Sequence, residues 1–116
     1  MRISLKGTNL ELVDSIRVYV EKKIINTVER LLARPPEAVS LDIEVGKTTK
    51  HHKSGKVFRA EVNLSMGKKL LRAESLGENL HEAIDLLEEE IEREIKKFKG
   101  KRRALALKGA RKLKGR

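Results

Sequence analysis

A chain of 116 residues, 39% hydrophobic and 38% charged, is long enough for one domain with a core and too short for two. It contains no cysteine, which excludes a disulfide framework and a thiolate metal site and fits a reducing compartment such as the cytoplasm. A net charge of +10 with no apolar run of about 20 residues excludes a bilayer-spanning helix and points to a polyanion as partner.

The chain opens with a short strand over Met1 to Lys6, in which Ile3 and Leu5 alternate with Arg2, Ser4 and Lys6. Met1-Arg2-Ile3-Ser4 lacks the apolar core of a signal peptide. Gly7-Thr8-Asn9 breaks the strand. From about Leu12 a helical stripe follows in Val13, Ile16, Val20, Ile24, Val28 and Leu31, with Asp14 near the positive end of the dipole. Arg34-Pro35-Pro36 stops it, because proline disfavours helix at the preceding residue and donates no backbone hydrogen bond. A second strand alternates Val39, Leu41, Ile43 and Val45 with polar positions.

A basic loop, His51-His52-Lys53-Ser54-Gly55-Lys56, leads into a third strand. Phe58, Ala60, Val62, Leu64 and Met66 share its buried face, and Val57, Arg59, Glu61, Asn63 and Ser65 the other. Gly67 marks a tight turn into a return strand from Leu70 to Glu74. Ser75 to Asn79 then caps a second helix with the stripe Leu80, Ile84, Leu87, Ile91, Ile95 and Phe98. Past Gly100 the pattern fades. Residues 1–100 read as the folded domain and 101–116 as a flexible basic tail, with a transient helix over Ala104 to Leu107.

The order strand, helix, three strands, helix predicts an α+β fold. Its last three strands form an antiparallel meander, and both helices cover one face of the sheet. The other face is left to solvent or a partner.

Charge is strongly partitioned along the chain. Residues 1–46 carry seven basic and seven acidic side chains, 47–72 carry eight and one, 73–95 one and nine, and 96–116 eleven and none. The positive charge therefore sits in the hairpin and at the C-terminal end. The acidic block between them argues against a helix lying on anionic lipid. No phosphate-cradling glycine loop, GxSxG or HExxH is present, so no enzyme site or cofactor is expected. His51 and His52 lack a third ligand at a metal-binding spacing and read as solvated or RNA-facing loop residues. His81 reads as helix surface. Of the aromatic residues only Tyr19 lies off the core stripes, so recognition of single strands by base stacking is disfavoured. Contact with the shape and phosphates of structured RNA remains. Charge clustering alone adds Lys22, Lys56, Lys96, Arg102 and Arg103 as candidate RNA-binding residues.

Several segments, in this order, resemble the ribosome hibernation-promoting factor family, also described as ribosomal subunit interface proteins. They are Ile3 to Leu12, Arg17 to Ile24, Phe58 to Leu64, Leu71-Arg72-Ala73-Glu74, Asn79 to Leu87, and Arg93 with Lys96-Lys97-Phe98-Lys99. The resemblance implies a β-α-β-β-β-α domain, its four-stranded sheet carrying two helices on one face, similar to a double-stranded RNA-binding domain. It further implies binding in the mRNA and tRNA channel of the small ribosomal subunit, contact with its rRNA, and inhibition of translation in starved or stationary cells. Positions matching the family's basic pattern are Lys23, Arg59, Arg72, Arg93, Lys97, Lys99 and Lys101. Glu90 stands where a basic residue is expected, and Val13 where a hydroxyl cap is expected. The chain reads as a short form, without the dimerising second domain of the long form. A second factor for pairing ribosomes is a further partner the resemblance allows; no membrane or small-molecule partner is expected. The rival readings are a ribosomal or ribosome-assembly protein, and a protein-interaction module using the acidic helix face.

Overall fold

The computed structural model describes residues 1–32, 38–48 and 57–114, with side chains to residue 105 and at Leu107. The proline stop at Pro35-Pro36, the His51-His52 pair and Lys56 lie outside the described residues.

In chain order the elements are β1 (Arg2–Thr8), α1 (Asp14–Val20), a π-helical turn (Glu21–Ile25), α2 (Asn26–Leu32), β2 (Val39–Lys47), β3 (Phe58–Met66), β4 (Lys69–Gly77) and α3 (Leu80–Lys114). The strands form one mixed sheet in the order β1-β2-β3-β4. β1 runs parallel to β2, whereas β2, β3 and β4 form the antiparallel meander expected from their short connections. The parallel pair requires a crossover, and the first helical rod supplies it.

That rod carries a feature the periodicity did not predict. Of its buried residues, Ile16, Val20, Ile24 and Val28 follow one another at steps of four before Leu31 comes at three. In a regular α-helix each four-residue step overshoots a full turn by about 40°, so three steps would swing the stripe by about 120°. The π turn at Glu21–Ile25, which holds more residues per turn, absorbs the overshoot and keeps these side chains against the sheet. The rod begins at Asp14, with no side-chain cap at Val13.

Gly77 ends β4 against the first turn of α3, where a Cβ would lie 2.6 Å from the Ala83 backbone nitrogen. The start of α3 is capped as expected. Asn79 Oδ1 accepts from the Glu82 N–H at 2.8 Å, and Glu82 reaches back to the Glu78 N–H at 3.3 Å. Ser75 instead donates its hydroxyl to the Ala83 carbonyl at 2.6 Å. The helix continues past Gly100, where the apolar pattern fades, and reaches Lys114 in one stretch of 35 residues.

The core is one cluster between the sheet and the helices. Ile24, Leu41, Ile43, Leu64, Ile84, Leu87, Ile91 and Ile95 are its largest fully buried side chains. Val57, expected on the outward face, is buried at the entry to β3 instead. Its carbonyl accepts from the Thr48 N–H at 2.7 Å, which closes the neck of the loop and turns the side chain inward. Among the described residues no helix is long and apolar enough to cross a membrane.

Candidate nucleic-acid interface

The register of the sheet decides what its open face presents. Arg2, Ser40, Ser65 and Leu70 lie in one cross-strand row, and Ser4, Asp42, Asn63 and Arg72 in the next. Lys6, Glu44, Glu61 and Glu74 follow, then Thr8, Gly46, Arg59 and Leu76. Four basic residues (Arg2, Lys6, Arg59, Arg72) thus face four acidic ones (Asp42, Glu44, Glu61, Glu74), and the face carries no net charge. The hairpin is basic in sequence, but the described part of its open face is neutral.

Three carboxylates side by side in one row would repel one another. Arg59, one row away, supplies the counter-charge. Its guanidinium lies 2.9 Å from Glu44 and 3.1 Å from Glu74, pairs with Glu61 as well, and keeps its side chain only 27% exposed. A hydrogen bond from Asn63 holds the Glu61 carboxyl below its ordinary range; nearby Arg59 and Arg72 act in the same direction, while burial opposes them. The hydrogen bond to Glu74 and the surrounding negative charge raise the Arg59 pKa against the cost of burial. Arg72 is more open and lies 3.5 Å from Glu61.

Replacing Arg59 with Met is therefore expected to destabilise the fold by about 1–2 kcal/mol near pH 7. A depressed carboxyl contributes stability above its unfolded pKa of about 4.3, and that contribution is lost as pH falls through the folded value. The deficit of R59M should thus shrink in urea titrations run from pH 7 down to pH 3. A deficit of equal size at both ends would show that the carboxylates are not its source.

A second cluster joins the first helical rod to α3. The Tyr19 hydroxyl donates to Asp85, and its ring meets His81 edge-on at a centroid distance of 4.5 Å. The hydrogen bond to Asp85, then burial and the charges of Asp85 and Glu88, push the Tyr19 hydroxyl up to about 12. Lys23, on the π turn, lies 3.7 Å from Asp85, 3.9 Å from Glu88 and 5.8 Å from the Tyr19 ring centre. Thr27 donates to Glu88 at 2.8 Å. Tyr19 is thereby engaged within the protein and not presented as a stacking platform. Lys22, its neighbour on the π turn, is exposed.

Most of the remaining candidate residues meet at one pole, where the C-terminal half of α3 passes the β3–β4 turn. Phe98 is its anchor. Lys69 from β4 lies 5.9 Å from the ring centre and Arg102 lies 5.7 Å from it. Lys69, Lys97 and Lys101 line a shallow depression around Phe98, together with Leu71 and Glu94. On the adjoining side Lys96, Lys99 and Arg103 line a groove with Leu31 and Gly100. Lys99 donates to the Leu31 carbonyl at 2.7 Å and so closes the C-terminal end of α2. Lys96 lies 3.1 Å from Glu92, and Arg93, about one turn away from this pole, pairs with Glu90 at 2.6 Å.

The structure thus gathers Lys96, Lys97, Lys99, Lys101, Arg102 and Arg103 at the pole. Lys23, Arg59 and Arg72 stand apart from it within networks of acidic partners. Lys69 joins the pole, and the exposed Lys68 precedes it in the turn, although both were counted only as hairpin charge. Their signal was the Gly67-Lys68-Lys69 turn, whose Gly67 adopts φ 59°, but nothing local says which helix end it meets. Among the described residues no group of three or more His, Asp or Glu could hold a metal ion.

Fold and pole together define a class: a small α+β domain with a four-stranded mixed sheet, a neutral open face and an electropositive end. The chain belongs to the family described as Sigma 54 modulation protein / S30EA ribosomal protein, whose sequence profile matches residues 3–103. It is 34% identical over 99 residues to the ribosome hibernation promotion factor of Staphylococcus aureus, covering 85% of this chain and 48% of that protein. It therefore spans about half the length of that curated relative. The N-terminal domain of Thermus thermophilus Protein Y superposes with a TM-score of 0.65 at 31% identity, over 84% of this chain and 99% of that one. A ribosomal subunit interface protein from Coxiella burnetii shares the fold, with a TM-score of 0.63 at 18% identity over 86% and 99% of the two chains.

Proposed function

We propose that this protein is a ribosome hibernation factor: it binds the small ribosomal subunit through rRNA and holds translation off in starved or stationary cells. The observation that carries the reading is the cationic pole around Phe98, set on a domain of this family. Lys69, Lys97, Lys101, Arg102 and Arg103 are all exposed there. Cations gathered in this way attract phosphate, release its counterions and bind with an affinity that falls steeply with salt. The neutral sheet face would then contribute shape, with Arg59 and Arg72 giving up part of their carboxylate pairing if they reach a phosphate. On this reading the body of the domain occludes the path of mRNA and tRNA, no substrate or cofactor is required, and the protein works in the cytoplasm.

The acidic-face alternative loses ground because Asp85 and Glu88 are engaged by Tyr19, Lys23 and Thr27 within the protein. Co-sedimentation with purified small subunits tests the proposal. The protein should travel with the subunit at 50 mM salt and be released well below 500 mM; absence from the subunit fraction at low salt would refute it. Abundance separates a hibernation factor from a permanent ribosomal protein, because the former should be scarce on ribosomes of growing cells and plentiful on those of starved ones.

A further inference from the structure

β4 is an edge of the sheet, and among the described residues no strand lies beyond it. It runs nine residues, from Lys69 to Gly77, and contains no proline. Its register with β3 is unbroken, without a bulge. A long, regular edge of this kind offers unpaired backbone groups to another strand.

The ladder decides which groups are free. The Thr48 N–H donates to the Val57 carbonyl at 2.7 Å, so Val57, Arg59, Glu61, Asn63 and Ser65 turn their backbone groups toward β2. The alternate residues of β3 turn theirs toward β4, where they meet Lys69, Leu71, Ala73, Ser75 and Gly77. Leu70, Arg72, Glu74 and Leu76 are left with N–H and C=O groups directed away from the sheet. All four residues are exposed on the open face, Leu70 at 51% and Leu76 at 41%.

Leucine, arginine, glutamate, leucine is an order that complements itself when reversed. Let a second copy lie antiparallel, with the two Ala73 residues opposite each other. Leu70 then faces Leu76 of the second copy, and Arg72 faces its Glu74. The twofold axis repeats both pairs. These pairs of residues exchange about eight main-chain hydrogen bonds. A slip by two residues places either the two Arg72 or the two Glu74 side chains opposite each other, so charge selects one register. The other edge, β1, presents Arg2, Ser4, Lys6 and Thr8 on this face, with no acid to meet its own copy.

We propose that two copies of this chain pair through β4 into a closed twofold dimer, joining two four-stranded sheets into one. The inference stands apart from the ribosomal reading, because it uses the edge strand and not the cationic pole.

The test is analytical ultracentrifugation of the full, nuclease-treated chain at about 0.15 M salt, where repulsion between the two poles is largely screened. As concentration rises toward about 0.5 mM, the mass should climb from 13.2 kDa to twice that value and stop. Arg72→Glu or Glu74→Arg alone turns both cross-strand ion pairs into like-charge pairs and should weaken the dimer at least tenfold. Either change also disturbs contacts with Arg59 and Glu61, so rescue decides the matter. The double variant R72E/E74R restores opposite charges across the axis and should dimerise again. An equimolar mixture of the two single variants should form a heterodimer, because each then meets its complement. Circular dichroism and thermal melting check that every variant is folded. A wild-type mass of 13.2 kDa throughout would overturn the proposal. So would growth beyond the dimer, or the absence of rescue in both the double variant and the mixture.

Discussion

Reversing Lys69, Lys97 and Lys101 to Glu together is expected to weaken binding to small ribosomal subunits by about a hundredfold at 0.1 M salt. These three side chains line the depression around Phe98 and are exposed, so the change removes phosphate contacts and adds repulsion without touching the core. Lys99 is left out by design: its ammonium closes the end of α2 at the Leu31 carbonyl, and reversing it would mix a folding defect with a binding one. Reversal of Lys47 is the control, matched in charge type but outside the pole, and should cost less than about tenfold. Filter binding or sedimentation at several salt concentrations reads both variants. Similar losses per reversed charge would mean that the protein is held by a diffuse electrostatic film and not at a docked surface.

Leu87→Ala is expected to cost about 2–5 kcal/mol of folding stability, a large part of the roughly 5–15 kcal/mol typical of a domain. Leu87 is fully buried within the cluster that joins α3 to the sheet, so truncation leaves a cavity its neighbours only partly fill. Leu107→Ala, on the same helix but 55% exposed, should shift stability by less than about 0.5 kcal/mol. Urea denaturation measures the pair. A comparable loss at Leu107 would mean that the distal helix is packed against the body, contrary to its exposure here.

How far the fold was legible can be traced residue by residue. The strands alternate at period two, and α3 repeats its apolar residues at three and four, so both announce themselves locally. The first helix was legible as a helix but not as one containing a π turn, although three successive steps of four from Ile16 to Val28 were a usable clue. Past Gly100 the apolar stripe lapses, and the reading of a flexible tail followed that lapse. The helix of the structure continues because propagation from an anchored helix adds a hydrogen bond per residue without a new nucleus.

The binding residues divide along the same line. Lys97, Lys101, Arg102 and Arg103 share one short stretch, and their clustering is local. Arg59 carries the same formal charge, but Glu44 and Glu74 reach it only because β2 and β4 flank β3 in this register. Counting charge along the hairpin overlooked both acids, one contributed by β2 and the other just past the counted segment.

By itself the sequence determined the type and order of the elements, the residues of the core and the division of charge between the chain's segments. Each depends on periodicity or composition over a few turns of chain. Tertiary structure alone decided that the open sheet face is neutral, that Tyr19 is held by Asp85, and that Lys69 joins Lys97 and Lys101 around Phe98. Those outcomes depend on which distant residues become neighbours, and strand register and hairpin geometry, not local pattern, set that.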